Sequence, residues 1–166
     1  MKETLVIRSA DFDDIATIGY LAHQIWPVTY KDILTRDQMD YMLQLNYSPA
    51  ALENQIRKQH HQFIIAEINL EEVGFASFGP IHNGNWKLHK LYVLPSMQGK
   101  GVGKALVDMV EEEVRTHNGA HLLLNVNKNN KAIKFYESIG FQIEKAEVND
   151  IGHGFVMDDY VMGKDV

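Results

Sequence analysis

Apolar positions along the chain change texture twice, which divides it into a helical opening, a stranded middle and a mixed closing third. Residues 5–8 read as a short strand, after which Ile15, Ile18, Leu21, Ala22 and Ile25 recur at the spacing of one helix face. Trp26-Pro27 predicts the end of that helix, because proline disfavours helical backbone in the residue before it. Thr35 with Gln38 forms a capping-box pattern ahead of Met39, Met42 and Leu43. Ser48-Pro49 reads as an N-cap with proline in the first helical position, opening a third helix through Leu52 and Ile56.

From residue 63 to 93 the runs QFIIAEI, VGFASFGP and WKLHKLYVL are separated by turn residues at 69–72 and 82–85, the pattern of an antiparallel meander. Val102, Ala105, Leu106, Met109, Val110 and Val114 then mark a helix face that Asn118-Gly119 stops. HLLLNV reads as a strand, residues 131–139 as a helix closed by Gly140, and FQIEKAEV with GFVMDDYVMGK as two final strands. Helices flanking a mixed sheet are the expected architecture, and no linker or repeat divides residues 1–166, so one domain is expected.

Composition narrows the chemistry. With no Cys, disulfides, thiolate nucleophiles and Cys-ligated metals drop out, and any covalent intermediate would need another residue. Sixteen Lys and Arg against 22 Asp and Glu leave a net charge of −6, which disfavours a nucleic-acid partner and favours cationic or neutral ones. No apolar run approaches the roughly 20 residues that span a bilayer, so no membrane partner is expected and the cytoplasm is the expected location. Metal binding is not expected either. His117 and His121 straddle a helix stop, His60 and His61 are adjacent, and no carboxylate joins either pair at ligand spacing.

The densest chemistry lies in LYVLPSMQGKGVGKAL, where a strand passes through a proline-marked turn into Gly99, Gly101 and Gly103 and straight into the amphipathic helix. Helix N-termini present unpaired N–H groups at the positive end of the macrodipole, and glycine lets an anion reach the backbone with no Cβ in the way. Lys100 and Lys104 add positive charge. Two common phosphate loops do not fit. A Walker loop ending in Gly103-Lys104 needs Gly at Gln98 and Ser or Thr at Ala105, and the dinucleotide fingerprint starting at Gly101 needs Gly at Leu106. What remains is Gln98, two residues, Gly101, one residue, Gly103, a spacing that chance supplies in about one chain of this length in twelve.

A second segment raises that weight. NVNKNNKAIKFYESIGF, residues 125–141, places an Asn three residues before an Ala, then a Phe-Tyr pair and a closing Gly-Phe. With QGKGVG, these motifs make the chain resemble the GNAT superfamily of N-acetyltransferases, with motif identity confined to residues 88–141. IWPVTYKDILTRDQMDYML is similar to a bacterial branch that includes spermidine and spermine acetyltransferases. The resemblance implies an α/β (α+β) fold with a mixed, mostly antiparallel central sheet of six to seven strands flanked by helices. It also implies a V-shaped splay between the two central strands, residues 87–94 and 121–126.

By the same resemblance, acetyl-CoA is the co-substrate. Leu91, Tyr92 and Val93 would bind its pantetheine arm, with Val93 N–H or a neighbour polarising the thioester carbonyl. Gln98, Gly99, Lys100, Gly101, Val102, Gly103 and Lys104 would surround the pyrophosphate, and Asn129 would contact the pantetheine amide or thiol side. The implied reaction is transfer of the acetyl group to a primary amine by direct attack in a ternary complex. Tyr136 would be the acid for the departing thiolate, and His89 the base, where many relatives carry Glu. His82 and His153 are further base candidates. Each role has a plainer reading: Tyr136 as aromatic core, His89 as a polar residue on one strand face, Asn129 as an N-cap for the helix near Lys131.

The acidic balance favours a small cationic acceptor such as a polyamine. The resemblance implies that Trp26, Tyr30 and Tyr41, in the opening helices that cap the cleft in the family, would line its pocket, their plainer reading being aromatic core. A peptide or protein N-terminal acetyltransferase and a non-catalytic CoA-binding sensor are the alternatives. Pairing of exposed sheet edges makes a homodimer a further expectation.

Overall fold

The computed structural model describes residues 3–166. Its strands are β1 (Leu5–Ser9), β2 (Gln62–Ile68), β3 (Glu71–Pro80), β4 (Asn85–Val93), β5 (His121–Asn127), β6 (Gln142–Gly152) and β7 (Phe155–Asp165). The helices are α1 (Ile15–Thr29), α2 (Arg36–Tyr47), α3 (Pro49–Arg57), α4 (Val102–Thr116) and α5 (Ala132–Ser138), with single 3-10 turns at Phe12–Asp14 and Pro95–Met97. All seven strands form one sheet in the order β1-β2-β3-β4-β5-β7-β6, antiparallel at every junction but β4–β5, which is parallel. The mixed, mostly antiparallel sheet flanked by helices is the architecture expected, and β2–β3–β4 is the expected meander.

The two faces of the sheet carry separate cores. On one, Leu106, Val107, Val110 and Val114 of α4 and Tyr136 of α5 pack on Ile64, Ala76, Leu88, Leu122 and Leu124. On the other, Ile18, Leu21 and Ile25 of α1, Met42 and Leu43 of α2 and Leu52 of α3 pack on Phe63, Ile65 and Phe75. The adjacent residues Ile64 and Ile65 therefore serve opposite cores, as the two-residue period of a strand requires.

Two local readings are corrected. Pro27 does not end α1 but lies inside it, one turn from its close at Tyr30, whose N–H donates to Trp26 O at 2.9 Å. In the last turn proline removes one backbone bond only, and Trp26, 3% exposed, anchors that turn in the core. At α2, Thr35 Oγ1 accepts from Gln38 N–H at 3.2 Å, but the reciprocal arm of the capping box is not made. Gln38 Nε2 reaches Val156 O at 2.8 Å instead, tying the start of α2 to β7. Ser48 caps α3 as read, its Oγ accepting from Ala51 N–H at 3.2 Å ahead of Pro49.

Candidate active site

β4 and β5 pair only over residues 85–88 and 121–124. Beyond that point β4 keeps β3 as its partner and β5 keeps β7, so the two central strands part and their facing edges carry backbone groups with no strand partner. The parting starts at a β-bulge. Ser77 pairs with Lys90 and Phe78 with Leu88, which leaves His89 as the extra residue. A bulge sharpens strand twist and re-aims the side chains that follow it. Trp86 and Leu88 face α4, but after the bulge Leu91 and Val93 take that face, while Lys90 and Tyr92 turn towards α1 and α3. Simple alternation along β4 fails at this residue.

Past β4 the chain makes the glycine turn and enters α4. Gly99 and Gly101 stand at φ +81 and +80, the left-handed region that side chains rarely adopt, with open space where a Cβ would project. Gly101 is the N-cap of α4 and makes no side-chain cap. Among the described residues, the backbone amides of residues 99–104 have no acceptor within the chain, and the first helical bond is Ala105 N–H to Gly101 O at 3.0 Å. Gln98 Nε2 donates to Val93 O at 3.3 Å, bracing the turn against β4. Gly103 sits against Phe135 of α5, where an added Cβ would come within 3.2 Å of the ring. Lys100 and Lys104 hold only exposed partners, Glu3 at 3.0 Å and Asp108 at 2.9 Å; such pairs are weak enough to exchange for a bound anion. A row of free amides, two left-handed glycines and two exchangeable lysines fit a diphosphate.

Across the splay an aromatic wall closes the other side. Tyr30 and Tyr92 hydroxyls lie 3.0 Å apart, and Trp26 packs on Tyr30, Tyr47 and Tyr92 with ring centroids 4.5, 5.7 and 5.7 Å away. Burial raises the phenols of Tyr30, Tyr47 and Tyr92 above their ordinary range. Tyr136 of α5, 7% exposed between Phe135 and Phe141, is raised as well, by burial and then by the nearby Tyr30 hydroxyl. It therefore stays a protonated phenol at neutral pH.

The remaining candidates scatter. His89 stacks on His61 with centroids 3.8 Å apart and planes 10° from parallel. Burial, followed by His61, Lys87 and Lys90, lowers its pKa to about 3, and burial with the same two lysines lowers His61 to about 4. Lys90 itself is lowered to about 8 by burial, its Nζ donating to Gln55 Oε1 at 2.8 Å. Tyr41 lies away from the splay, donating to Ile151 O at 2.6 Å and packing on His153 and Phe155, so it clamps the β6–β7 hairpin with His153 beside it. His82 sits in the β3–β4 turn, at the end of β4 opposite the splay. The amide that starts α5, Ala132 N–H, donates to Asn130 Oδ1 at 2.8 Å, so Asn130 performs the capping considered for Asn129, which stays exposed.

The sequence reading did not find Asn125, Glu147, Asn149 and Asp159, which meet on β5, β6 and β7 beside the splay. They come from three separated segments and form no motif. Among the described residues no group of three or more His, Asp or Glu side chains is disposed to hold a metal ion, and no helix is long and apolar enough to cross a membrane.

Comparison with known proteins matches residues 34–159 to the family described as "Acetyltransferase (GNAT) domain". The chain is 26% identical over 163 residues to the uncharacterized N-acetyltransferase YuaI of Bacillus subtilis, covering 91% of this chain and 92% of that one. It is 25% identical over 160 residues to a spermidine N(1)-acetyltransferase of Thermoplasma acidophilum, covering 93% and 96%. Among solved structures, the PaiA N-acetyltransferase of Thermoplasma acidophilum in complex with coenzyme A superposes with a TM-score of 0.84 at 24% identity, over 98% of this chain and 99% of that one.

Proposed function

This chain belongs to the GNAT family and is an acetyl-CoA-dependent N-acetyltransferase, and we propose that its acceptor is a small cationic amine, a polyamine in kind, attacking directly within a ternary complex. The carrying observation is the splay of β4 from β5, which ends on the unpartnered amides of residues 99–104. The acceptor class is supported by the net charge of −6 and by the likeness to a spermidine N(1)-acetyltransferase.

Acetyl-CoA supplies an activated thioester. In this reading the amides of Gly99, Lys100, Gly101, Val102, Gly103 and Lys104 bind its diphosphate, with both lysines turning from their surface partners and Gln98 bracing the turn. The free edge of β4 at Leu91, Tyr92 and Val93 takes the extended pantetheine arm as an added strand, and exposed Asn129 stands at the start of α5 to contact it. A backbone N–H on that edge, assigned to Val93, faces the thioester oxygen. Such a donor stabilises an oxygen that turns negative more than a neutral carbonyl, by on the order of 3 kcal/mol.

The amine nitrogen bonds to the carbonyl carbon, the C–S bond breaks, and Tyr136 gives its proton to the departing sulfur. Burial keeps that phenol protonated at neutral pH, so the proton is in place when the thiolate forms beside it. Held near pKa 3, His89 takes up a proton weakly at neutral pH, so the amine proton is assigned to water in the cleft rather than to the imidazole. Thiol release measured with acetyl-CoA and a panel of polyamines, amino acids, aminoglycosides and peptides tests the reading. Release with a polyamine supports it. Tight CoA binding with no release across the panel would make the chain a sensor, and release with peptides alone would make it a peptide acetyltransferase.

A further inference from the structure

The sheet face that carries α1 to α3 ends, beside the splay, in a polar floor that the steps above leave unused. Asp159 of β7 stands directly opposite Asn127 of β5 and Glu147 of β6, so all three side chains leave the same face. Asn125 Nδ2 donates to Glu147 Oε1 at 2.8 Å and to Asp159 Oδ2 at 3.4 Å, and Asn149 Nδ2 to Asp159 Oδ2 at 3.1 Å and Glu147 Oε1 at 3.5 Å. Two carboxylates facing each other across neighbouring strands repel. Among the described residues no cation is bonded to both carboxylates. Lys145 Nζ is 3.7 Å from Glu147 Oε2, and Lys87 acts on both carboxylates without an ion pair to either.

Asp159 is 6% exposed, and its Oδ1 is buried with no donor in reach. A buried carboxylate oxygen without a donor is destabilising, and a native site that keeps one is completed by a water or a ligand group that supplies the donor. The position indicates which ligand. Asp159 is close enough to Tyr30 for its charge to raise that phenol, and Tyr30 is bonded to Tyr92 of β4. Asn125 is the first residue of β5 past its pairing with β4. The floor therefore meets the splay from the face opposite α4, where the free amides lie.

We infer that Asp159, assisted by Glu147, anchors a charged ammonium group of the acceptor, which is thus an aliphatic diamine or polyamine holding one nitrogen at Asp159 while a second, uncharged nitrogen attacks the thioester. This rests on the acetyl-transfer reading and adds the side chain that selects the acceptor. An ammonium brings three N–H donors, enough for Asp159 Oδ1 and the Glu147 carboxylate together, and its charge removes their repulsion. β7 lies one strand beyond β5, about 5 Å further on, a step that a short alkyl chain bridges. An anionic acceptor meets two carboxylates, and a monoamine has no second charge to leave at the anchor.

The test is calorimetric binding of spermidine to the CoA-saturated protein, in wild type, Asp159→Asn and Glu147→Gln, with n-butylamine as the single-charge control. Asp159→Asn should weaken spermidine by about 30-fold while leaving CoA affinity unchanged. Its unfolding midpoint should hold or rise, because the amide still accepts from Asn149 and no longer repels Glu147, whereas a merely structural carboxylate would lower it. Glu147→Gln should lose less affinity for spermidine, with CoA affinity again unchanged. Equal spermidine affinity in wild type and Asp159→Asn overturns the anchor, and so does wild-type protein that binds n-butylamine as tightly as spermidine. Binding is read without turnover, so these outcomes are separate from thiol release, whose failure would remove the transfer reaction instead.

Discussion

The two sides of the splay present groups of different kinds. On the α4 side the candidate groups are main-chain amides of consecutive residues, 99–104, presented by one glycine turn at one helix start. On the α1 side they are side chains drawn from distant segments: Trp26 and Tyr30 from α1 and its end, Tyr92 from β4, Asn125 from β5, Glu147 from β6 and Asp159 from β7. Every residue type but proline has a main-chain N–H, so the first side tolerates other changes wherever the backbone path survives. The second depends on which side chain stands at each place. A cofactor common to many enzymes suits the first kind of surface, and an acceptor that differs between relatives suits the second.

Substitutions can break that division or sharpen it. The largest effect is expected at the junction of the two sides: Tyr136→Phe should lower kcat by about 100-fold or more with little change in the KM for acetyl-CoA, and turnover near wild type would leave Tyr136 as packing alone. Next, Gly101→Val places a branched side chain at φ +80 in open space. It should raise the KM for acetyl-CoA at least about tenfold, while strain of about 1–3 kcal/mol leaves the fold intact. Retained CoA affinity would move the diphosphate off this turn.

A smaller change on the acceptor side is Tyr30→Phe, which removes the 3.0 Å bond to Tyr92 but keeps the ring packed on Trp26. The KM for the amine should rise roughly fivefold, the value of one hydrogen bond near 1 kcal/mol, and that for acetyl-CoA should not move. Trp26→Ala is a blunter probe, because removing a core indole costs about 3–5 kcal/mol of stability whatever its role in binding.

A separate effect, on stability rather than on turnover, concerns pH. His61 and His89 titrate in the folded chain at about 4 and about 3, below the unfolded value near 6.5, so between those limits the unfolded chain binds more protons. Stability from the neutral pair is complete above pH 6.5 and falls as the pH drops towards 4. Urea midpoints at pH 7 and pH 5 should differ less in His61→Asn/His89→Asn than in wild type; an unchanged difference would place the acid sensitivity elsewhere.

Local order was legible in the sequence wherever one short segment carried both cause and effect. The glycine turn needs positive φ at Gly99 and Gly101, and those residues announce it. α4 follows from a single apolar face, and the Ser48-Pro49 start of α3 from its own cap. The reading erred where distant packing outweighed a local preference. Pro27 stays helical because Trp26 is anchored in the core, and Gln38 leaves its capping box for a carbonyl on β7.

What the chain order alone determined is the helix and strand periods, the anion-ready turn and the phenol at Tyr136 on the helix after β5, since each is encoded within about one element's length. The tertiary structure decided the rest. It placed the bulge at His89 that reverses the faces of β4, buried His89 against His61 and so lowered its basicity, and sent Tyr41 to the β6–β7 hairpin. It also gathered Asn125, Glu147, Asn149 and Asp159 on one floor. Register between strands far apart in sequence sets those neighbours, and a one-residue shift in pairing would send each of these side chains to the opposite face.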